Sequence, residues 1–312
     1  MEKLGYIKGI SYAVFIGAGK ITSLESKESL RLAKERTNAN SITLVPNVLQ
    51  ETPQSEEIDF LSPATMTDDE IKEIVEYIHD LGMTVILKPT VNCKNGTWRA
   101  HISFFEEDVP CEPKWSNWFN SYARMQAHFA ALAQQTGCEM FIPGCEMVMS
   151  EHREQEWRNV ISAVRSEYSG LVSYNTDKYQ EGNVKWWDAV DVISSSGYYP
   201  IDKWDQELDR IEKVVKKYNK PFFFAEVGCM SAKGSKMVPN DWCISNISDL
   251  EGQKQWYETM FAAISKRDWV EGVSLWDWKE RLYKPESIEN AVNYQIYAKP
   301  AEAVVKEYFS KL

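Results

Sequence analysis

Eight short apolar segments recur along the sequence, and segments with helical periodicity separate most of them. Each apolar segment has the length and composition of a buried strand. Strands that alternate with helices form a parallel sheet, and eight such units in a chain of 312 residues fit a (β/α)8 barrel. We therefore predict a single-domain (β/α)8 TIM barrel over residues 1–312, with an open doubly wound sheet as the alternative. The eight predicted strands cover residues 9–15, 41–46, 84–91, 140–146, 171–175, 192–199, 222–227 and 272–278.

Several of the intervening segments carry helix start signals. Thr67 and Glu70 have the spacing of a capping box ahead of an apolar stripe, and Ser248 and Glu251 repeat that arrangement. Pro300 occupies a typical first helical position for the last predicted helix. These signals place helices between the strands, as the barrel requires.

Two of the predicted strands end in a glutamate, Glu146 on the fourth and Glu226 on the seventh. A carboxylate that ends an apolar strand is costly unless it has a partner or a chemical role. In a barrel, the carboxyl ends of all strands open into one mouth, where catalytic residues lie. Two carboxyl groups about 5–5.5 Å apart are what a retaining glycosidase needs. The alternative is that each glutamate pairs with a basic residue and serves only the structure.

Composition narrows the possible partners. The net charge of -11 disfavours nucleic acid and anionic membrane surfaces, and no apolar run approaches the ~18 residues of a membrane helix. The 12 tryptophans suit a sugar-binding cleft, because flat aromatic rings pack against the apolar faces of pyranose rings. Gly17 and Gly19 begin like a dinucleotide loop, but Thr22 stands where Gly or Ala is needed.

The six cysteines have no zinc-site spacing, and we predict no metal and no cofactor. Free thiols point to a reducing compartment. We expect a cytoplasmic, monomeric protein; the alternative is a secreted protein whose signal peptide has been removed.

The residues around the two glutamates resemble clan A glycoside hydrolases, and within that clan glycoside hydrolase family 113, the β-mannanases. The resemblance runs from residues 9–11 to residues 297–302. It implies that Glu146 is the acid/base and Glu226 the nucleophile. Much of the clan has asparagine before the acid/base, where it contacts the sugar 2-hydroxyl, whereas this chain has Cys145. A thiol is a weak donor, so that contact must come from elsewhere or be absent.

The same resemblance implies a tyrosine that hydrogen-bonds the nucleophile, either Tyr198 or Tyr199, and a platform tryptophan under the reacting sugar, Trp276. Trp98 lies in the long segment 91–115, which we expect to cover the barrel mouth. Lys88 has an alternative role in a salt bridge to a carboxylate at the mouth. The other candidate substrate-binding residues stand at or near predicted strand ends: Asn47, Lys88, Asn92, Asn175, Asp177 and Trp278.

We predict a retaining endo-β-1,4-mannanase acting on mannan and manno-oligosaccharides. The alternatives within the fold are another clan A β-glycanase and an exo-β-mannosidase. A sugar-binding barrel without turnover and an enzyme that forms a Schiff base on Lys88 are alternatives from other classes.

Overall fold

The computed structural model describes residues 5–12 and 15–312. Within these residues, eight strands form a closed barrel and two further strands form a small separate sheet. The strands are β1 (Ile7–Tyr12), β2 (Ser41–Leu44), β3 (Asn47–Gln50), β4 (Thr84–Leu87), β5 (Thr90–Cys93), β6 (Met140–Phe141), β7 (Leu171–Thr176), β8 (Val192–Ser196), β9 (Phe222–Val227) and β10 (Val270–Trp278).

The barrel strands pair in parallel in the order β1, β2, β4, β6, β7, β8, β9 and β10, and β10 pairs with β1 to close the ring. Strands β3 and β5 pair in parallel with each other. The closed parallel barrel confirms the predicted fold class and excludes the open doubly wound sheet.

Helices surround the barrel, as the alternating pattern predicts. They are α1 (Leu24–Thr37), α2 (Asp68–Asp80), α3 (Trp115–Thr136), α4 (Glu154–Glu167), α5 (Trp204–Tyr218), α6 (Leu250–Ile264) and α7 (Pro300–Ser310). Between β7 and β8 the connection contains only a single turn of 3-10 helix at Trp187–Ala189. In the described ranges, no helix combines the length and apolar character needed to cross a membrane.

Two of the three predicted helix starts are confirmed. Both hydrogen bonds of the capping box join Thr67 and Glu70 at the start of α2, and Pro300 opens α7. The third was wrong by one residue, because Asp249 caps α6 by accepting from the Gly252 amide at 2.8 Å. Ser248 is still extended there and pairs with Ala232 in an antiparallel bridge.

Most of the predicted strands differ from the strands in the structure at one end or both. The predicted segment 84–91 is split, because Pro89 has no N–H for a sheet ladder and the chain leaves β4 and resumes as β5. Asn92 therefore lies in the small sheet, and Asn47 lies there too because the second barrel strand stops at Leu44 and the chain resumes as β3. The fourth barrel strand stops at Phe141, and Cys145 rejoins the sheet in a single bridge to Asn175. The first strand ends at Tyr12, and residues 13 and 14 of its predicted span lie outside the described residues.

The barrel interior is layered. One end is apolar and is filled by a small cluster of buried side chains: Ile7, Ile86, Met140, Ile142, Val192, Phe223 and Ala225. Farther along the strands, Ser274 is hydrogen-bonded to Ser11 and Thr43, so the interior becomes polar. This polar layer underlies the carboxyl ends of the strands, where active sites of such barrels lie.

Candidate active site

Folding brings the two predicted glutamates together. Glu226 lies on β9, and Glu146 follows the Cys145 bridge at the end of the fourth barrel unit. A carboxylate oxygen of Glu146 and one of Glu226 lie within 4.8 Å of each other. Both side chains line a cavity of about 460 Å³ at the barrel mouth, a size suited to a small-molecule site. The separation fits a retaining pair, because an inverting pair needs room for a water at about 6.5–9.5 Å.

The backbone at Glu146 is held in an unusual conformation. Its φ of 54° lies in the left-handed region, which costs a residue other than glycine about 1–3 kcal/mol. The surrounding chain imposes this conformation, because the Glu146 amide donates to the Asn175 carbonyl at 2.7 Å and the Asn175 amide donates to the Gly144 carbonyl at 3.0 Å. A side chain at position 144 would place its Cβ 2.5 Å from the ring of Tyr174, so the close approach requires glycine.

The environment of Glu226 favours its ionised form. The Lys88 ammonium donates to Oε1 at 2.6 Å, the Tyr198 hydroxyl donates to Oε2 at 3.0 Å, and the Cys145 thiol donates to Oε1 at 3.2 Å. Burial raises the pKa of Glu226, but the positive charges of Lys88 and Arg99 outweigh that effect and hold the pKa below its ordinary value. A buried, ionised carboxylate with a fixed orientation is suited to nucleophilic attack.

The hydrogen-bond donors to Glu146 come from residues other than those that donate to Glu226. The Ser196 hydroxyl donates to Oε1 at 2.7 Å, and the Arg99 guanidinium donates to Oε2 at 2.9 Å. The Trp98 indole N–H completes the set at 3.3 Å from Oε2. Glu146 and Glu226 are therefore held in separate hydrogen-bond environments within one cavity, as a pair with two different roles requires.

Sequence reasoning missed Arg99. Its guanidinium is buried and also donates to the Cys145 carbonyl at 2.8 Å and to Asn92 Oδ1 at 3.1 Å. It thereby joins the small sheet to the backbone that carries Glu146. The sequence feature that could have pointed to Arg99 is its position as a basic residue next to Trp98, in the segment predicted to cover the barrel mouth.

Most of the predicted substrate-binding residues lie in the cavity wall or directly beneath it. Five of them line the cavity: Asn47, Asn92, Trp98, Tyr198 and Trp276. Asp177, which follows β7, lines it as well. Lys88 and Asn175 are fully buried beneath the cavity, where Lys88 Nζ donates to Asn175 Oδ1 at 3.2 Å. Lys88 thus takes its alternative role as the salt-bridge partner of Glu226.

The structure contradicts the placement of Tyr199 and Trp278 in the site. Tyr199 is fully buried and donates to Glu181 at 2.8 Å, because adjacent residues of an extended chain point to opposite sides. Trp278 packs outside the barrel, and its indole N–H donates to the Ser29 hydroxyl on α1 at 2.9 Å. A register irregularity between the paired strands β1 and β10, where Ile10 faces Leu275 and Tyr12 faces Trp278, breaks the alternation there.

Aromatic side chains form much of the cavity wall. Trp276 contacts Phe15 edge to face at 5.8 Å between ring centroids, and Lys88 Nζ lies 5.8 Å from the centroid of the Trp276 ring. Trp242 also lines the cavity and is 67% exposed. Exposed rings beside buried carboxylates are suited to holding a sugar chain.

The cavity does not fit a metal ion. Among the described residues, the close set of thiol and carboxylate donors comprises Cys145, Glu146 and Glu226. Lys88 already donates to the Glu226 carboxylate, and Arg99 donates to the Glu146 carboxylate. A divalent cation there would lie beside two buried positive charges, which opposes its binding.

Comparison with known proteins identifies the family. The sequence profile of Glycoside Hydrolase Family 113 matches residues 10–299. The chain belongs to glycoside hydrolase family 113. It is therefore a glycoside hydrolase, and the predicted family, fold and enzyme class are confirmed.

Solved structures agree with this family assignment. Two solved structures, one of a GH113 beta-1,4-mannanase and one of a GH113 beta-1,4-mannanase complex, are each 50% identical to this family 113 enzyme, with a TM-score of 0.97 over 99% of this chain and 100% of the matched chain. The GH113 beta-mannanase AaManA from Alicyclobacillus acidocaldarius, in complex with ManMIm, is 44% identical, with a TM-score of 0.95 over 99% of this chain and 98% of that chain. The beta-D-glucuronidase of Dictyoglomus thermophilum is 17% identical, with a TM-score of 0.68 over 99% of this chain and 51% of that chain, and shares the fold. A search of curated proteins found no match.

Proposed function

We propose that this family 113 enzyme is a retaining endo-β-1,4-mannanase that hydrolyses internal β-mannosidic bonds of mannan and manno-oligosaccharides. The observation that carries the proposal is the pair of carboxylates within 4.8 Å of each other, in a chain 50% identical to a solved β-1,4-mannanase over nearly its full length. The cavity is built for a neutral ligand, because its buried charges are already paired.

In the first step, Glu226 attacks the anomeric carbon and forms a covalent glycosyl-enzyme. Its low pKa keeps it ionised. The hydrogen bond from Tyr198 to Oε2 and the ion pair from Lys88 to Oε1 fix the direction of attack. Glu146 donates its proton to the leaving glycosidic oxygen in the same step.

In the second step, Glu146 is a carboxylate and removes a proton from the attacking water. The water oxygen bonds to the anomeric carbon, and the bond to Glu226 breaks. Glu146 is protonated again at the end, so the cycle consumes no proton. Two inversions at the anomeric carbon leave its configuration unchanged.

Nucleophile and acid/base are tested separately by chemical rescue with azide. Glu226→Ala has an open space where the nucleophile stood, so azide attacks directly and should give the α-mannosyl azide. Glu146→Ala still forms the glycosyl-enzyme from an activated aryl substrate, so azide should give the β-mannosyl azide. The matched control is Glu112→Gln, an exposed glutamate in the loop before α3, which should keep the wild-type rate. The same anomer from both variants would contradict the assigned roles.

Substrate and mode of attack need their own measurements. Release of reducing ends from mannan, cellulose, xylan and galactan tests the substrate class, and activity confined to xylan would refute the mannanase proposal. Mannohexaose should give mixed oligomers, whereas an exo-β-mannosidase would release mannose alone. A sugar-binding barrel without turnover would release no product from any of them. The monomeric state and the cytoplasmic location stay predictions from the sequence.

A further inference from the structure

Three polar side chains form a hydrogen-bonded row beside the cavity. Arg99 Nη1 donates to Asn92 Oδ1 at 3.1 Å, and Asn92 Nδ2 donates to Asn47 Oδ1 at 2.7 Å. Asn47 and Asn92 both line the cavity, and Arg99 is buried beside Glu146. The steps assigned to Glu146 and Glu226 do not require this row, so its role in the site needs a separate explanation.

The small sheet holds the two amides against each other. Strands β3 and β5 pair in parallel, with Asn47 opposite Thr90 and Leu49 opposite Asn92. Because alternate residues of a strand point to the same side, Asn47 and Asn92 lie on one face of this sheet as diagonal neighbours. The backbone at Asn47 is tied in place, since its carbonyl accepts from the Thr65 hydroxyl at 2.9 Å. The two amides are therefore positioned by the fold itself.

The polarity of the row is fixed at its buried end. A guanidinium has five N–H donors and no acceptor, so Arg99 can bind only the oxygen of the Asn92 amide. Asn92 then presents its NH2 group to Asn47, and Asn47 must accept with its oxygen. Within the described parts of the chain, this is the hydrogen bond that the Asn47 side chain makes. The NH2 group of Asn47 is left as the group that this side chain can offer to a ligand in the cavity.

The order of the barrel strands places the row on one side of the two glutamates. Glu146 follows β6 and Glu226 lies on β9, so the ring of strands is divided into an arc of β7 and β8 and an arc of β10, β1, β2 and β4. Trp276 lies on β10, and Asn47 and Asn92 follow β2 and β4. A sugar that rests on Trp276 therefore lies on the side of the cavity where the two amides are.

We propose that Asn47 is a specificity-determining residue that donates an amide N–H to one hydroxyl oxygen of the glycone, and that Asn92 is the positioning residue that sets this polarity. The hydroxyl is bound as an acceptor, and its own proton stays available to another group. This inference rests on the proposed function, because it takes Trp276 as the ring under the reacting sugar.

Dinitrophenyl β-mannobiosides test the contact, because both of their sugars lie on the glycone side of the bond that breaks. Each free hydroxyl is replaced in turn by hydrogen, and kcat/KM is measured with the wild type and with Asn47→Ala. At the contacted hydroxyl, the loss in the wild type should exceed the loss in Asn47→Ala by about fivefold to tenfold, which corresponds to one neutral hydrogen bond. The other hydroxyls should give equal losses in both proteins. A uniform loss in Asn47→Ala, with no hydroxyl singled out, would show a structural role and overturn the proposal.

Fluorine in place of the contacted hydroxyl tests the polarity, since fluorine accepts a hydrogen bond and cannot donate one. In Asn92→Asp, Arg99 binds one carboxylate oxygen and the other oxygen can only accept, so the Asn47 amide must turn round and present its oxygen to the cavity. That oxygen can accept from the hydroxyl of the parent substrate but has no partner in the fluoro sugar. The hydroxyl-to-fluorine ratio of kcat/KM should therefore rise by about fivefold or more over the wild-type ratio. The inductive effect of fluorine on the reacting carbon is common to both proteins and cancels, so an unchanged ratio would overturn the proposal.

Two further variants show whether Asn92 acts through Asn47. Asn47→Asp is nearly isosteric and places an acceptor oxygen where the amide N–H was, so it should show the same raised ratio as Asn92→Asp. Because it keeps the shape of the side chain, it also covers the case in which Asn47→Ala does not fold. Adding Asn92→Asp to Asn47→Ala should leave the ratio of Asn47→Ala unchanged. A ratio that rises in this double variant would overturn the positioning role of Asn92.

A structural measurement separates this inference from the proposed function. Neutron diffraction from deuterium-exchanged crystals locates the amide deuterons of Asn47 without any substrate. Deuterons directed into the cavity are expected, and the amide oxygen in their place would overturn the proposal. If the wild type cleaves a β-glycan other than mannan, the proposed function fails while this result stands, and the hydrogen and fluorine analogues are then made from that glycan.

Discussion

Lys88→Met tests how the nucleophile is kept ionised. The variant removes an ammonium that lies 2.6 Å from Glu226 Oε1, in a pair whose side chains are 0% and 4% exposed. Methionine keeps most of the side-chain length, so the change is mainly one of charge. Tyr198 and Cys145 still donate to Glu226, but its nearest positive charge is gone. Removing one partner of a buried ion pair costs about 3–5 kcal/mol, because the other charge stays buried.

The sign of the pH dependence follows from the pKa of Glu226. In the wild type this pKa is held below its ordinary value of 4.5, so the group adds stability above that value and loses it as pH falls through the folded pKa. In Lys88→Met, burial dominates and we expect the folded pKa to rise above the ordinary value. The stability that the variant loses is then smallest below pH 4.5, and it increases as pH rises through the new pKa of Glu226. The difference in unfolding free energy should therefore grow with pH.

Urea unfolding of both proteins at pH values from about 4 to about 8 measures this difference. The acid limb of kcat/KM should also move upward, because Glu226 must lose its proton before attack. The double variant Lys88→Met/Glu226→Gln removes both charges and should be more stable at neutral pH than Lys88→Met alone. A deficit that is the same at every pH, or that stays below about 1 kcal/mol, would refute the reasoning.

Three further variants test the close approach at Gly144 and the placement of two tryptophans. In Gly144→Ala the new Cβ would lie 2.5 Å from the Tyr174 ring, so we expect a loss of about 1–3 kcal/mol of stability. Because the clash displaces Glu146, kcat should fall more than KM changes. Unfolding and kcat equal to those of the wild type would contradict this prediction. Trp276→Ala should lower kcat/KM by fivefold or more, about 1 kcal/mol of lost ring contact, with little effect on stability. Trp278→Ala should do the reverse, losing about 3–5 kcal/mol of stability with KM unchanged. Thermal unfolding and mannohexaose kinetics measure both effects. A stability loss in Trp276→Ala together with a kcat/KM loss in Trp278→Ala would show that the two tryptophans are wrongly placed.

The fold was predictable because its signals are local and repeat eight times. A capping box such as that of Thr67 and Glu70, or a proline such as Pro300, acts through neighbouring backbone groups and leaves its mark within a few residues. Element ends were less predictable. Pro89 ends β4 in the middle of an apolar segment, and the chain then builds the small sheet that carries Asn92.

The site was predictable in its two glutamates and less so in their partners. An apolar strand that ends in a carboxylate can be seen in one segment, but the partner that offsets its charge comes from elsewhere in the chain. Arg99 reaches Glu146 from a different loop, and nothing in its own neighbourhood requires that contact. The choice between Tyr198 and Tyr199 depends on which side of the chain faces the cavity, and a pair of identical residues carries no such information.

The role of Cys145 also depends on contacts with residues that are distant in the sequence. The clan resemblance placed it where asparagine would meet the sugar 2-hydroxyl. Its thiol instead points inward, donating to Glu226 Oε1 at 3.2 Å and accepting from Arg99 Nη2 at 3.2 Å, and the residue is 1% exposed. Because burial raises the pKa of this thiol, it stays a neutral link between the two glutamate environments. Any contact to the 2-hydroxyl must therefore come from other side chains that line the cavity. Asn47 and Asn92, joined by a hydrogen bond of 2.7 Å, are polar groups of that wall.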